Sequence, residues 1–317
     1  MDRKKTDPMQ NIYPMKHIAM KMMLLLPFTF HFSPSLAEHL FEAGLRAGMS
    51  SYAAQCRYVS PAPSVHAGIQ LSYAFHSSHV IGFRFAATLD RHQAGFRQAN
   101  YTDTYSVIDV ENAPMQVDYS IGLLSETYTT WSVGIPLQLA LAKNHFALYL
   151  GPKIVFPFRS RWTEKAEKAA LSVYYPEQDN RVYNSYPLAA SPSFQETQNG
   201  TTQLPPVQYW IAAEISYDIP VHTGLRTKSY ISVGLYFDYS LSSVAADPSD
   251  RISLLMLSDT RDGFPLHRIM TPVVSAYRQG RRLVTSRNPF DLGIKIAYRF
   301  APYNPRRQAY KMCHCND

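Results

Sequence analysis

The feature that most constrains this chain is an alternation of apolar and polar residues that recurs eight times after residue 40. The alternating segments begin near residues 44, 65, 81, 131, 146, 211, 231 and 290. A period of two is typical of β-strands whose two faces lie in different surroundings. Soluble strands average five or six residues, whereas crossing a bilayer at a tilt takes about 9 to 11, and these segments run to about 10 to 14. The pattern therefore predicts eight strands long enough to span a membrane.

Composition excludes several other classes. Mean hydropathy is -0.22, and beyond the N-terminal leader no run of 18 apolar residues occurs, which excludes a polytopic helical membrane protein. Aromatic residues make up 13% and charged residues only 17%, which argues against intrinsic disorder. The net charge of +7 is spread thinly, without a basic stripe between aromatics, so we expect no nucleic-acid partner.

Short and long connections alternate along the chain. The short ones are Ser77-Ser78, Lys143-Asn144 and residues 220–228; those of medium or greater length are 54–64, 93–128, 159–206 and 243–288. Outer-membrane barrels have this asymmetry, with short periplasmic turns and long external loops. We predict an all-β fold, an eight-stranded antiparallel up-and-down transmembrane β-barrel with long external loops. Val107–Val110 and Val117–Leu123 are assigned as hairpin arms that extend strands three and four outward.

The two faces of the predicted strands differ in charge. One face carries no charged residue, as expected where a charge at the lipid midplane costs roughly 2 to 4 kcal/mol. The opposite face carries five basic and five acidic residues: Arg46, Arg84, Lys153, Lys295 and Arg299, with Asp90, Glu214, Asp218, Asp238 and Asp291. An eight-stranded barrel has room inside for little more than side chains. We therefore expect these ten residues to form a luminal charge network that occludes the barrel. Aromatic residues at the strand ends, such as Tyr73 and Trp131, would form the interfacial girdles.

The first 37 residues have the pattern of a secretory signal peptide. A basic segment (15–21) precedes an apolar run from Met22 to Phe32, and Ser35 and Ala37 supply small residues before a cleavage site. The start is either Met1 or Met15, and a single membrane anchor is the alternative. The expected organisation is a signal peptide (1–37), a barrel (38–301) and a periplasmic C-terminal tail (302–317). The chain would thus cross the inner membrane and reside in a bacterial outer membrane.

Two consecutive strand motifs give the chain a family resemblance. Residues 131–139 read Trp-Ser-Val-Gly-Ile-Pro-Leu-Gln-Leu, and residues 146–153 end in Gly-Pro-Lys. These motifs resemble an aromatic strand with Ile-Pro-Leu, followed by an aromatic strand with Gly-Pro, in small outer-membrane β-barrel proteins of Bacteroidetes, the OmpA-like and PorT-like barrel group. The resemblance covers about residues 40 to 300. It implies the barrel fold and outer-membrane location, and it transfers no active site.

Four further groups have candidate chemistry. His66 and His76 share the luminal face, where a catalytic role near Asp90 and Glu214 competes with a role as polar filling, which we favour. Cys313-His314-Cys315 has metal-ligand types but no preformed cage, so we expect no metal. Asn199-Gly200-Thr201 matches a glycosylation sequon, which we interpret as chance. A group of arginines at the end of the last loop could meet lipopolysaccharide phosphates or be merely solvated: Arg278, Arg281, Arg282 and Arg287.

The sequence favours a structural or surface-interaction role carried by the external loops, without catalysis and without a cofactor. The expected partners are outer-membrane lipids and lipopolysaccharide, the barrel-assembly machinery, and an extracellular ligand or envelope protein. A narrow passive pore is the second hypothesis, and an outer-membrane hydrolase or acyltransferase is the third. A secreted lipocalin-like binder is the fourth, but it would keep its apolar face inside.

Overall fold

The computed structural model describes residues 38–76, 81–108, 113–183, 194–221, 229–243, 252–258 and 267–301. Three predicted features lie outside the described residues: the signal peptide (1–37), the turn at Ser77-Ser78, and the tail (302–317) with its Cys-His-Cys sequence. No helix among the described residues is long and apolar enough to cross a membrane.

The described chain is nearly all β-structure, with one 3₁₀ turn at Pro176–Gln178. The strands are β1 Glu38–Cys56, β2 Ser60–His76, β3 Ile81–Ile108, β4 Pro114–Lys143, β5 Phe146–Tyr175, β6 Asn180–Tyr183, β7 Phe194–Thr201, β8 Gln208–Val221, β9 Ser229–Ser240, β10 Ile252–Ser253, β11 Leu255–Ser258, β12 His267–Met270, β13 Ala276–Arg278, β14 Arg281–Arg282 and β15 Val284–Phe300.

Eight of these strands close into a ring. Their order is β4-β3-β2-β1-β15-β9-β8-β5, and β5 pairs with β4 to complete the circle. Every neighbouring pair is antiparallel. Strands that follow one another along the barrel wall also follow one another in the chain, apart from the short inserted strands. The prediction of an eight-stranded up-and-down barrel is therefore confirmed.

The lower part of the barrel is apolar outside and charged inside. Leu45, Leu235 and Ile294 point outward and are 66%, 57% and 52% exposed, whereas Arg46 and Lys295 point inward and are buried. So large an apolar exterior is stable only against hydrocarbon, because water would leave it unburied. This band is the membrane-spanning part of the fold. Near its short-turn end, aromatic rings meet across the strands, with 5.7 Å between the ring centroids of Phe41 and Phe300.

Strands β3, β4 and β5 are far longer than the sequence predicted. They contain 28, 30 and 30 residues, although about 9 to 11 suffice to cross a bilayer. The interpretation of 93–128 and much of 159–206 as loops was wrong, because the strand pairing continues through both ranges. The expected outward extension of strands three and four is present, with Val107 in β3 and residues 117–123 in β4; residues 109–112 lie outside the described part. We call residues 92–108, 114–130 and 160–175 the upper sheet.

The upper sheet reverses the polarity of the membrane part. Its inward face is mainly apolar, including the buried Phe96, Ile121 and Leu124, while its outward face is rich in Thr, Ser, Arg and Lys. The described parts of residues 252–284, here called the covering segment, pack onto that apolar face. The segment contributes buried apolar side chains from Leu254, Leu255, Met270, Val273, Val274, Ala276, Leu283 and Val284. The prediction of a long loop over 243–288 is therefore wrong for the described parts of 252–284, which close a second core above the membrane.

Candidate functional site

Ion pairs fill the lower lumen. Glu42 on β1 accepts from Lys295 at 2.6 Å and from Arg299 at 2.6 Å, both on β15. Glu214 on β8 pairs with Arg84 on β3 at 2.6 Å and also contacts Lys295. Acids and bases on four strands are thus tied together across the barrel.

Tyr149 and Asp218 also belong to this lower group. The Arg84 guanidinium lies over the Tyr149 ring, 3.6 Å from its centroid, so its face as well as its edge is engaged. Arg299 also reaches Asp218 at 2.5 Å. Every charge in the lower lumen therefore has at least one partner of opposite sign.

A second ion-pair group lies above the first. Arg46 reaches Asp238 at 2.6 Å and Asp90 at 3.3 Å. Lys153 lies 2.9 Å from Asp90 and 2.8 Å from Asp238, so two bases and two acids form a closed square. The Arg46 guanidinium also stacks on Tyr236, 4.0 Å from the ring centroid. Small residues on the luminal face, such as Gly134, leave the room that Lys153 occupies.

Two histidines and a carboxylate form the top layer of the lumen. His92 Nδ1 lies 2.8 Å from Asp291 Oδ2, and His66 Nε2 lies 3.9 Å from the same oxygen. His66 Nε2 is also 3.4 Å from Asp90 Oδ1. All four side chains are buried. His76, the other histidine singled out in the sequence, is buried on β2 ten positions further on, about 33 Å away along the strand.

The structure brings all ten predicted luminal charges to the inside of the barrel and adds members that the sequence reasoning missed. Glu42 lies outside the predicted first strand, which begins at residue 44, although Phe41 and Ala43 already continue its outward alternation. His92 was missed because the third strand was ended near Asp90, two positions earlier on the same face. With Glu42 included, the two ion-pair groups and the histidine layer contain six acidic residues and five lysines or arginines. The acids are Glu42, Asp90, Glu214, Asp218, Asp238 and Asp291, and the bases are Arg46, Arg84, Lys153, Lys295 and Arg299.

The space between these groups is small. A cavity of about 40 Å³ lies above the histidine layer and is lined by His92, Trp210 and Arg287, among others. A second cavity of about 10 Å³ lies between the two ion-pair groups, beside Arg84 and Asp238. A water molecule needs roughly 10 to 15 Å³ of such volume. Each of these two cavities therefore holds a few waters at most.

A pair of buried carboxyl groups lies inside the upper sheet, outside the membrane band. Glu126 on β4 and Glu164 on β5 are directly opposite in the strand register, and both are buried. The backbone N–H of Val273, in the covering segment, donates to Glu126 at 2.5 Å. Burial raises the pKa of Glu126 to about 7. Burial, and then the neighbouring Glu126, raise the pKa of Glu164 well above its usual value.

The four late arginines do not form one basic surface. Arg287 is 3% exposed and lies over the Tyr128 ring, 4.4 Å from its centroid. Arg278 stacks on Tyr58, while Arg281 is exposed. The idea that these residues jointly meet lipopolysaccharide phosphates was wrong for Arg287, because the barrel mouth buries it.

A different basic surface lies on the outward face of β3 and β5. Arg91 and Arg159 flank Trp131 in the strand register, immediately above the apolar band. Arg161, Arg97 and Lys165 follow higher on the same face, all of them exposed. None of these five makes an ion pair within the described residues, and Glu167 lies on the same face of β5, two positions beyond Lys165. We call these five residues the outer basic face.

Comparison with known proteins gives only distant matches. No family model matches the chain, and no curated protein is similar to it in sequence. Among solved structures, Neisserial surface protein A is 11% identical with a TM-score of 0.30, over 81% of this chain and 95% of that one. Ail, the attachment invasion locus protein of Yersinia pestis, in complex with the heparin analogue sucrose octasulfate, is 9% identical with a TM-score of 0.25, over 82% and 99%. The outer membrane protease OmpT from Escherichia coli is 7% identical with a TM-score of 0.24, over 86% and 99%.

Proposed function

We propose that this protein is a non-catalytic barrel of a bacterial outer membrane that presents its upper sheet and covering segment for surface interactions. The observation that carries the proposal is the contrast between the two halves. Ion pairs close the membrane part, whereas β3 to β5 extend well beyond it and build a second core around the covering segment. A passive pore would need neither the luminal ion pairs nor the upper sheet. The motifs at 135–137 and 151–152 support placement in the OmpA-like and PorT-like barrel group of Bacteroidetes.

The outer basic face supports lipopolysaccharide as one partner. Arg91 and Arg159 lie beside Trp131, a residue type that favours the membrane interface. Guanidinium groups bind phosphate bidentately, and the phosphates of lipopolysaccharide lie at this boundary in the outer leaflet. Lys165 is six positions further along β5 than Arg159, about 20 Å along the strand, so it suits a ligand further from the membrane. The lower arginines therefore anchor the barrel, and the upper cations remain available to an anionic extracellular partner.

Surface labelling tests the orientation. In a background without cysteine (Cys56→Ser, Cys313→Ser, Cys315→Ser), a membrane-impermeant maleimide should label Asn199→Cys on intact cells. The matched control is Asn144→Cys, at the short turn between β4 and β5, which should react only after the outer membrane is permeabilised. Labelling of Asn144→Cys on intact cells would contradict the orientation and, with it, the surface role.

Two further measurements test the closed lumen and the lipid partner. In planar bilayers the wild-type protein should show no conductance above leak level; porin-sized steps would favour the passive-pore alternative.

Lipopolysaccharide should raise the unfolding temperature of the wild-type protein relative to phosphocholine bilayers. The variant Arg91→Gln/Arg159→Gln should lose that increase, while Arg97→Gln/Lys165→Gln should keep it. Equal effects of the two double variants would overturn the assignment of the lower arginines.

A further inference from the structure

Asp291 differs from the other acidic residues of the described lumen in what it faces. Asp90 and Asp238 each contact both Arg46 and Lys153, and each of the three lower acids also has a lysine or arginine partner. Among the described residues Asp291 has neither, and its ion-pair partners are the imidazoles of His66 and His92. Of the six acidic residues in the two ion-pair groups and the histidine layer, Asp291 is therefore the one without a permanent positive charge beside it among the described residues. A buried carboxylate without a cation is costly, so its surroundings call for one.

The two imidazoles are oriented as ligands. One ligand atom each from His66, His92 and Asp291 lies within 4.8 Å of the other two. The nitrogens that approach Asp291 Oδ2 are His66 Nε2 at 3.9 Å and His92 Nδ1 at 2.8 Å. The opposite ring nitrogens are engaged elsewhere, His66 Nδ1 with Tyr236 Oη at 2.5 Å and His92 Nε2 with Ser132 Oγ at 2.8 Å. A partner on the far nitrogen is what fixes the ring of a metal-bound histidine. The facing nitrogens, by contrast, make no hydrogen bond of good geometry within the described residues.

We propose that His66, His92 and Asp291 form a binding site for a divalent transition-metal ion, with Zn²⁺ as the fitting probe. Two neutral imidazoles and one carboxylate are a known zinc donor set that leaves a fourth position free. Tetrahedral bonds of about 2.1 Å place ligand atoms about 3.4 Å apart, so the side chains need only small adjustments. The cavity of about 40 Å³ beside His92 and Ser50 offers space for a water in the fourth position.

A bound ion would join three strands at the outer end of the lumen. His66 lies on β2, His92 on β3 and Asp291 on β15, and β1 separates β2 from β15 in the barrel. His66 and His92 already face each other in the register of β2 and β3, so the ion would link this pair to Asp291 on β15, a strand that pairs with neither of them. This inference goes beyond the proposed surface role and does not depend on it. A protonated His92 paired with Asp291 is the competing explanation of the same geometry, and the test separates the two.

The test uses the full chain folded in detergent, with Cys313→Ser/Cys315→Ser to remove the thiols of the tail. After treatment with EDTA and its removal, ZnCl₂ is titrated by calorimetry, and thermal unfolding is recorded with and without zinc. We expect one zinc per chain and a higher unfolding temperature. A folded parent that takes up no zinc would overturn the proposal and leave the His92–Asp291 ion pair as the explanation.

Variants then locate the ion. His66→Asn and His92→Asn should each weaken zinc binding more than tenfold, whereas His76→Asn, lower in the lumen, should bind zinc as the parent does. Tyr236→Phe keeps all three ligands and should cost roughly 10- to 100-fold, because only the ring orientation of His66 is loosened.

A spectroscopic measurement can be made on the parent protein, so it does not depend on the folding of any ligand variant. Cu²⁺ bound to the parent should show electron paramagnetic resonance coupling to two imidazole nitrogens. Coupling to no nitrogen, or zinc affinity unchanged in both ligand variants, would refute the site.

Discussion

Glu126 and Glu164 face each other across the register of β4 and β5, and the covering segment is hydrogen-bonded to one of them through the backbone N–H of Val273. Neither oxygen of Glu164 has a hydrogen-bond partner within the described residues. Two negative charges on directly opposite residues in an apolar core repel each other. The pair therefore retains protons at a pH where exposed glutamates are ionised. The docking of the covering segment is thereby linked to pH.

The first prediction is a loss of upper-sheet stability as the pH rises. The folded state holds the Glu126 proton more tightly than the unfolded chain, with the pKa raised from 4.5 to about 7. The stability is thus complete below about pH 4.5 and falls as the pH passes through 7 and, because of Glu164, beyond it. Glu126→Gln should flatten this dependence, while Glu167→Gln on the outward face should not. The measurement is the urea concentration at which half of the upper sheet is unfolded, at each pH from 5 to 9. The fluorine NMR signal of fluorotryptophan at Trp162 reports the unfolding. A wild-type midpoint independent of pH would contradict the prediction.

The second prediction concerns the apolar band. Leu235→Arg should destabilise the membrane-inserted barrel by roughly 2 to 4 kcal/mol, because the new charge must reach lipid near the middle of β9. Thr127→Arg is the matched control, since it lies outward on the upper sheet, where the surface is already polar. Denaturant titration in lipid vesicles gives both values. Similar small effects of the two substitutions would argue against lipid around Leu235.

The third prediction concerns the luminal square. Asp238→Asn should cost roughly 3 to 5 kcal/mol, since Arg46 and Lys153 then share the single carboxylate of Asp90. Asp218→Asn should cost less, because the Asp218 side chain is 16% exposed and Arg299 is its only ion-pair partner among the described residues. Unfolding in detergent at neutral pH compares the two. A larger loss for Asp218→Asn would mean that burial does not set the strength of these pairs.

The fourth prediction concerns the covering segment. Leu254→Ala should weaken its packing by roughly 2 to 5 kcal/mol, because the side chain is fully buried against the upper sheet. The membrane part should remain folded. Trypsin cleavage at Arg278, Arg281 and Arg282 should therefore accelerate while the barrel keeps its heat-modifiable mobility on gels. Ile108→Ala, at a side chain that is 65% exposed, should leave the cleavage rate unchanged.

The barrel itself was predictable from sequence because one physical rule governs its membrane part. Around Gly234 and Leu235, as in the other spans, lipid on one side and a narrow polar lumen on the other impose a strict alternation. The rule stops applying above Trp131. In β3 the apolar residues are Phe83, Phe85 and Leu89 on the outward face, then Ala94 and Phe96 on the inward face. This exchange of faces interrupts the alternation, so the continuing strand was interpreted as a loop.

The candidate metal site was only partly visible from sequence. The alternation places Asp291 and His66 on the luminal face, but spacing along the chain does not show which residues meet across a barrel. The covering segment was hidden for a related reason. Leu254 and Val273 have no strand period of their own, and they are buried only because the upper sheet offers them an apolar face.

The exchange of polarity between the two halves also sets how deep the barrel can sit. If it sank by one further row of residues, about 7 Å along the strand, Arg91 and Arg159 would enter hydrocarbon. If it rose by the same distance, Leu89 and Val133 would leave lipid for water. Both displacements raise the free energy of the protein in the bilayer. The row that contains Trp131 therefore fixes the depth at which the barrel lies. Because this boundary is sharpest on β3 to β5, it resists tilting toward that side as well as vertical displacement.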